Sequence, residues 1–132
     1  MRYLVLLCLF GLTACNTPGP HFRGLDATRV TFGGSTFDVR VRGDLAEALR
    51  VNPQYAPRFG PIAGRAKQAM EQVSGCVVTE VRGDQALSIG VLDCERGAPP
   101  VLGPGQSYDC TPRSTKGAHF GRSGALTCEI AG

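Results

Sequence analysis

The sequence predicts an α+β domain: a small antiparallel sheet of about four strands in ββαββ-like order, packed on one main helix and followed by a disulfide-stapled C-terminal extension. Three observations carry that reading. Strand-like alternation lies on both sides of a single stretch with helical rhythm, glycine-rich turns separate the apolar runs, and the later cysteines recur at equal spacing. The chain has 132 residues, 42% hydrophobic and 19% charged, with a formal net charge of +3; this suits one small domain and argues against wholesale disorder. With 18 glycines, nine prolines and no tryptophan, the chain has a lean core and little room for long helices, so covalent staples would help. No apolar run reaches the roughly 20 residues of a spanning helix, which excludes an integral channel or transporter.

The first strands are RVTF at 29–32 and STFDVRVR at 35–42, flanking Gly33-Gly34, a hairpin signal because both glycines accept positive φ. In the second, Phe37, Val39 and Val41 alternate with Asp38, Arg40 and Arg42, so one face is core and the other wet. Asp44 followed by Glu47 resembles a capping box, predicting a short helix over 45–50 that Pro53 stops. After the turn-rich bridge at 52–61, the spacing of Ile62, Ala66, Ala69 and Val73 predicts the main helix, with Arg65, Lys67, Gln68, Glu71 and Gln72 on its other positions. Gly75 suits a left-handed cap at its end. Residues 76–94 read as a second hairpin turning around 83–86. An even register pairs Val81 with Ile89 and Thr79 with Val91, and it sets Cys76 opposite Cys94. From Glu95 the chain becomes a proline-glycine loop with two short strand candidates, 107–110 and 125–130.

The N-terminus carries a different kind of information. Arg2 provides a positive charge, Tyr3 to Leu12 form an apolar run, and Leu12-Thr13-Ala14-Cys15 follows. This stretch resembles the leader and lipobox of bacterial lipoproteins; the resemblance covers about the first sixteen residues and no family is recognised for the rest. It implies cleavage before Cys15, lipidation of the Cys15 thiol and acylation of the new N-terminus, and hence attachment to membrane lipid. Two or more acyl chains anchor durably, since each buried methylene contributes about 0.8 kcal/mol. Asn16, standing where aspartate favours inner-membrane retention in such lipoproteins, points to the outer membrane, facing the periplasm. The organisation then reads as signal peptide at 1–14, lipid anchor and flexible tether at 15–28, α+β core at 29–95, and a loop-rich, cysteine-containing extension of the same domain at 96–132.

Of the six cysteines, Cys8 leaves with the leader and Cys15 takes lipid. Cys76, Cys94, Cys110 and Cys128 remain, and an even remainder in an exported chain suggests disulfides. The spacing favours Cys76 with Cys94 and Cys110 with Cys128, with a crossed pairing still open. No Cys-x-x-Cys knuckle supports a metal or a redox motif, and no cofactor is expected. His21 and His119, the only histidines, sit in the tether and in a glycine-rich loop, outside any acid-base cluster. Arg-Gly-Asp at 42–44 and 82–84 is local backbone chemistry, the first copy opening a helix and the second turning a hairpin. Basic and acidic side chains nearly balance in the mature chain, which speaks against nucleic acid as a partner.

These features lead to the expectation of an envelope lipoprotein acting as a non-catalytic accessory or binding module. The alternatives are a small periplasmic enzyme with a site assembled from loops, or a structural or inhibitory partner of another exported protein. The candidate binding residues are Arg40, Arg42 and Arg82 on the outward sheet face, with Glu80 and Ser88 beside them. Their guanidinium groups suit carboxylates or phosphates, on an envelope protein or an anionic glycolipid.

Overall fold

Alternating apolar residues and glycine turns build far more sheet than the expected four strands. The computed structural model describes residues 17–113 and 124–132. After a 3-10 turn at Pro20–Phe22 come β1 (Thr28–Phe32), β2 (Ser35–Arg42), β3 (Leu45–Arg50), α1 (Phe59–Ser74), β4 (Val77–Gly83), β5 (Leu87–Asp93), β6 (Ser107–Pro112) and β7 (Gly124–Ala131). The strands form one antiparallel sheet in the order β1-β2-β3-β5-β4-β7-β6. The fold is therefore a seven-stranded sheet curled into a half-barrel around a single helix, and the expected four-stranded ββαββ sheet is incorrect. Curling follows from size: seven strands laid flat span about 29 Å, whereas a helix is about 10–12 Å across, yet α1 packs against every strand.

The inner face of the sheet and the helix share one core. Phe37, Val39, Ala46, Ala48, Val78, Val81, Leu92 and Leu126 meet Ile62, Ala63, Ala66, Ala69 and Met70 there. The helix begins at Phe59, three residues before the expected start, with Pro61 tolerated in its first turn. It ends where expected: Gly75 adopts φ 70° and its N–H donates to the Glu71 carbonyl at 2.8 Å. Gly60 and Gly64 let β6 approach, and a Cβ on Gly64 would stand 2.9 Å from the Tyr108 carbonyl oxygen.

The segment at 45–50 is strand, not the expected short helix. Gly43, at φ 60°, turns the chain so that Arg42 pairs with Leu45. The Asp44 and Glu47 spacing that resembles a helix cap belongs to a hairpin, and both Arg-Gly-Asp copies lie at hairpin turns. Burial of Ala46, Glu47, Ala48 and Leu49 on two opposite faces hides the period of two that would have marked β3. One face meets the helix; the other lies under the N-terminal segment. That segment is no free tether from Gly19 onward. The Gly19 N–H donates to Glu47 Oε2 at 2.7 Å, Leu25 O accepts from Arg40 Nε at 3.2 Å, and Phe22 is 1% exposed.

A bulge corrects the expected register of the second hairpin. Near the cysteines the even register holds, pairing Val77 with Asp93 and Val78 with Leu92. A shift between Val78 and Glu80 then pairs Val81 with Gly90, not Ile89, and Glu80, not Thr79, with Val91. Ser88, expected outside, is buried along with Val78 and Leu92, while Ile89 and Val91 alternate with them and turn outward. The cysteine end keeps its register, so Cys76 bridges Cys94, and Cys110, directly opposite Cys128 on β7, bridges it. The crossed pairing is excluded. The C-terminal residues form two full strands of the sheet, with β7 pairing β4.

Candidate functional site

The expected arginine face has a different character residue by residue. Arg40 is 9% exposed; besides its bond to Leu25, its Nη1 lies 3.5 Å from Glu47 Oε1. Burial raises the Glu47 carboxyl above its ordinary value, against the opposing pull of the Gly19 N–H and of Arg40. Arg40 thus holds the N-terminal segment on the sheet. Arg82 lies on the outward face but makes a two-pronged bond to its neighbour Glu80, at 2.9 and 3.0 Å, and Arg113 adds a contact at 3.3 Å. The Arg82 bonds hold the Glu80 carboxyl below its usual value. Arg42 is exposed at the end of β2. Ser88 faces the core. The three arginines therefore do not converge on one cleft: Arg40 and Arg82 are committed to partners within the fold, and Arg42 stands apart.

The second concentration of charge lies inside. Lys67 and Glu71, one helical turn apart and each 4% exposed, pair with one another rather than facing solvent. Lys67 Nζ also donates to the Val78 carbonyl at 2.8 Å and lies 4.4 Å from the centre of the Tyr108 ring. Glu71 accepts from the Val78 N–H and from the Tyr108 hydroxyl, both at 2.9 Å. Burial, reinforced by the bond to Glu71, raises the Tyr108 hydroxyl above its normal range. The arrangement has a structural cause: β7 pairs with β4 only at Val81, Arg82 and Gly83, so the Val78 edge groups lack a strand partner. The two helix side chains stand in for that strand, since buried backbone groups must be paired. Among the described residues no buried side-chain nitrogen or oxygen lacks a hydrogen bond.

One surface open to a partner is the bridge between β3 and α1. Its backbone shape is fixed from the β1–β2 hairpin tip. Asn52 accepts from the Thr36 N–H and donates to the Gly34 carbonyl, both at 2.8 Å. Gln54 accepts from the Ser35 hydroxyl at 3.0 Å, and that hydroxyl in turn accepts from Arg65 at 3.1 Å. Beyond these ties Tyr55 is fully exposed, and Ala56 takes φ 40°, a conformation non-glycine residues seldom adopt. Tyr55, Pro57, Arg58, Pro61 and Arg65 line a cleft of about 200 Å³ with no acidic side chain among its lining residues. Such a surface offers an aromatic contact and two guanidinium groups, suited to a carboxylate or another oxyanion. Sequence reasoning did not rank this bridge first. Its prolines and lone tyrosine announce only a turn, and the bonds fixing it come from residues 16–20 positions away.

Comparison with protein-family models, curated proteins and solved structures finds no match to the chain. Among the described residues no group of three or more His, Cys, Asp or Glu is placed to hold a metal ion. His21 is exposed and sets its ring edge-on to Phe22, with centroids 5.2 Å apart. The leader, Cys15 and His119 lie outside the described residues.

Proposed function

We propose that the protein is a lipid-anchored module of the bacterial envelope, attached through Cys15 to the periplasmic face of the outer membrane, which binds an acidic segment of another envelope protein without catalysis. The observation that carries the binding role is Tyr55, fully exposed on a bridge pinned through Asn52 and Gln54 to the neighbouring hairpin. An exposed aromatic offers a large area to bury against a partner, and a fixed loop loses little entropy on binding. Arg58 and Arg65 give the cleft its sign. Two structural disulfides are compatible with an oxidising compartment, and Leu12-Thr13-Ala14-Cys15 supports the anchor.

The test is site-specific photo-crosslinking in intact envelopes. A crosslinker at position 55 should give a discrete protein adduct that Arg58→Glu reduces about tenfold, while a crosslinker at the equally exposed position 101 should not. Adducts of the same pattern and yield from both positions, or indifference to Arg58→Glu, would remove the bridge from the function.

A further inference from the structure

The docked N-terminal segment limits how far the folded body can stand from a lipid attached at Cys15. From Gly19 onward the segment is held by the Gly19–Glu47 bond of 2.7 Å, the Arg40–Leu25 bond of 3.2 Å and the burial of Phe22. Cys15 precedes Gly19 by four residues, so their Cα atoms are within about 14 Å, at about 3.3–3.6 Å per residue. The leash to the attachment point thus starts on the outward side of the sheet, where Gly19 is bonded to Glu47 of β3. Glu47 pairs directly with Ile89 of β5, and Leu45 pairs with Val91. Adjacent strands lie about 4.8 Å apart, so these apolar side chains are well inside the reach of the attachment point. They turn outward because the intervening Gly90 meets Met70 on the inner side, and they are half-buried, not covered.

We infer that the outward face of β3 and β5 around Leu45, Ile89 and Val91 rests on the bilayer that holds Cys15. The inference stands on the lipid anchor of the proposed function and adds an orientation to it. Acyl chains keep their cysteine at headgroup level, and a leash of about 14 Å keeps the face on which it starts close to the lipid. Half-buried aliphatic side chains suit the boundary between headgroups and acyl chains, and the exposed Arg42 beside them suits anionic headgroups. The helix and the loop that carries Val101 lie on the opposite side of the sheet, turned away from the membrane.

The chain has no tryptophan, so one introduced indole reports its own surroundings. Full-length lipidated protein carrying Ile89→Trp is reconstituted into phosphatidylethanolamine–phosphatidylglycerol vesicles containing brominated lipid; Thr79→Trp, an exposed site on the same side, serves should the first fail to fold. Quenching at either position should exceed that of Val101→Trp at least threefold. Twelve Gly/Ser residues inserted between Asn16 and Thr17 should bring it down to the Val101→Trp level. Equal quenching at the two faces, or an insertion without effect, would overturn the orientation while leaving the anchor standing. A blue-shifted indole at position 89 that bromine does not quench would mean that protein, not lipid, covers this face, and would overturn it too. Loss of the anchor itself would be read separately, as absence of acyl mass at Cys15.

Discussion

Replacing Lys67 and Glu71 together by Met and Leu should destabilise the fold, although removing a buried ion pair in favour of apolar side chains is often neutral or stabilising by about 1–4 kcal/mol. The difference comes from what the pair holds. Three groups lose their partners: the Val78 N–H, the Val78 carbonyl and the Tyr108 hydroxyl. Each orphaned buried group costs about 1–3 kcal/mol, so the gross penalty is about 3–9 kcal/mol. Relief from desolving two charges offsets part of it, leaving a net loss of about 2–5 kcal/mol. Lys67→Met alone should cost about 3–5 kcal/mol, because it also strands the Glu71 carboxylate. Urea unfolding followed by far-ultraviolet circular dichroism reads this out. With a slope of about 1 kcal/mol/M, the double variant should unfold at least about 2 M earlier than the wild type. A double variant at least as stable as wild type, with both single variants strongly weakened, would make the pair an ordinary buried salt bridge and refute its role as a substitute strand.

Two further outcomes follow from close contacts on either side of the sheet. Gly64→Ala should lower stability by about 1–2 kcal/mol, because overpacking against the Tyr108 carbonyl, 2.9 Å from the added Cβ, outweighs the gain of about 1 kcal/mol in helix propensity; a higher urea midpoint for the alanine variant would contradict the close packing of α1 on β6. Burial raises the Glu47 carboxyl in the folded state, so the native protein takes up this proton at a higher pH than the unfolded chain does, and stability falls as pH rises from the unfolded value of about 4.3 through the raised one. Relative to Glu47→Gln, wild type should therefore lose stability as pH rises above the ordinary carboxylate range, and parallel stability curves for the two proteins would show that Glu47 is not desolvated under the N-terminal segment.

How much of this was legible in the sequence depended on whether burial was one-sided. The helix was, because Ile62, Ala66 and Ala69 form a single apolar stripe, as was the Gly33-Gly34 hairpin. The Cys76–Cys94 bridge followed from strand parity because the bulge lies beyond the end that carries the cysteines. Past Thr79 the same pairing failed, since one inserted residue shifts every later pair by one position. β3 was illegible as a strand because the N-terminal segment buries its second face, Glu47 included. Lys67 and Glu71, at the spacing of a solvated helix pair, gave no hint that β4 would present an unpaired edge to them. The Tyr55 bridge depends on side-chain bonds from Asn52 and Gln54 to the distant hairpin tip, which no local pattern announces.

The anchor at Cys15 underlies both the proposed function and the orientation at the membrane, and mass analysis of the mature N-terminus in the membrane fraction tests it most directly. The account predicts a first peptide that begins at Cys15 and carries diacylglyceryl and acyl mass, and a Cys15→Ser protein that lacks this mass and is no longer held in the membrane. An unmodified peptide running through Ala14 and Cys15 as the dominant species would contradict it.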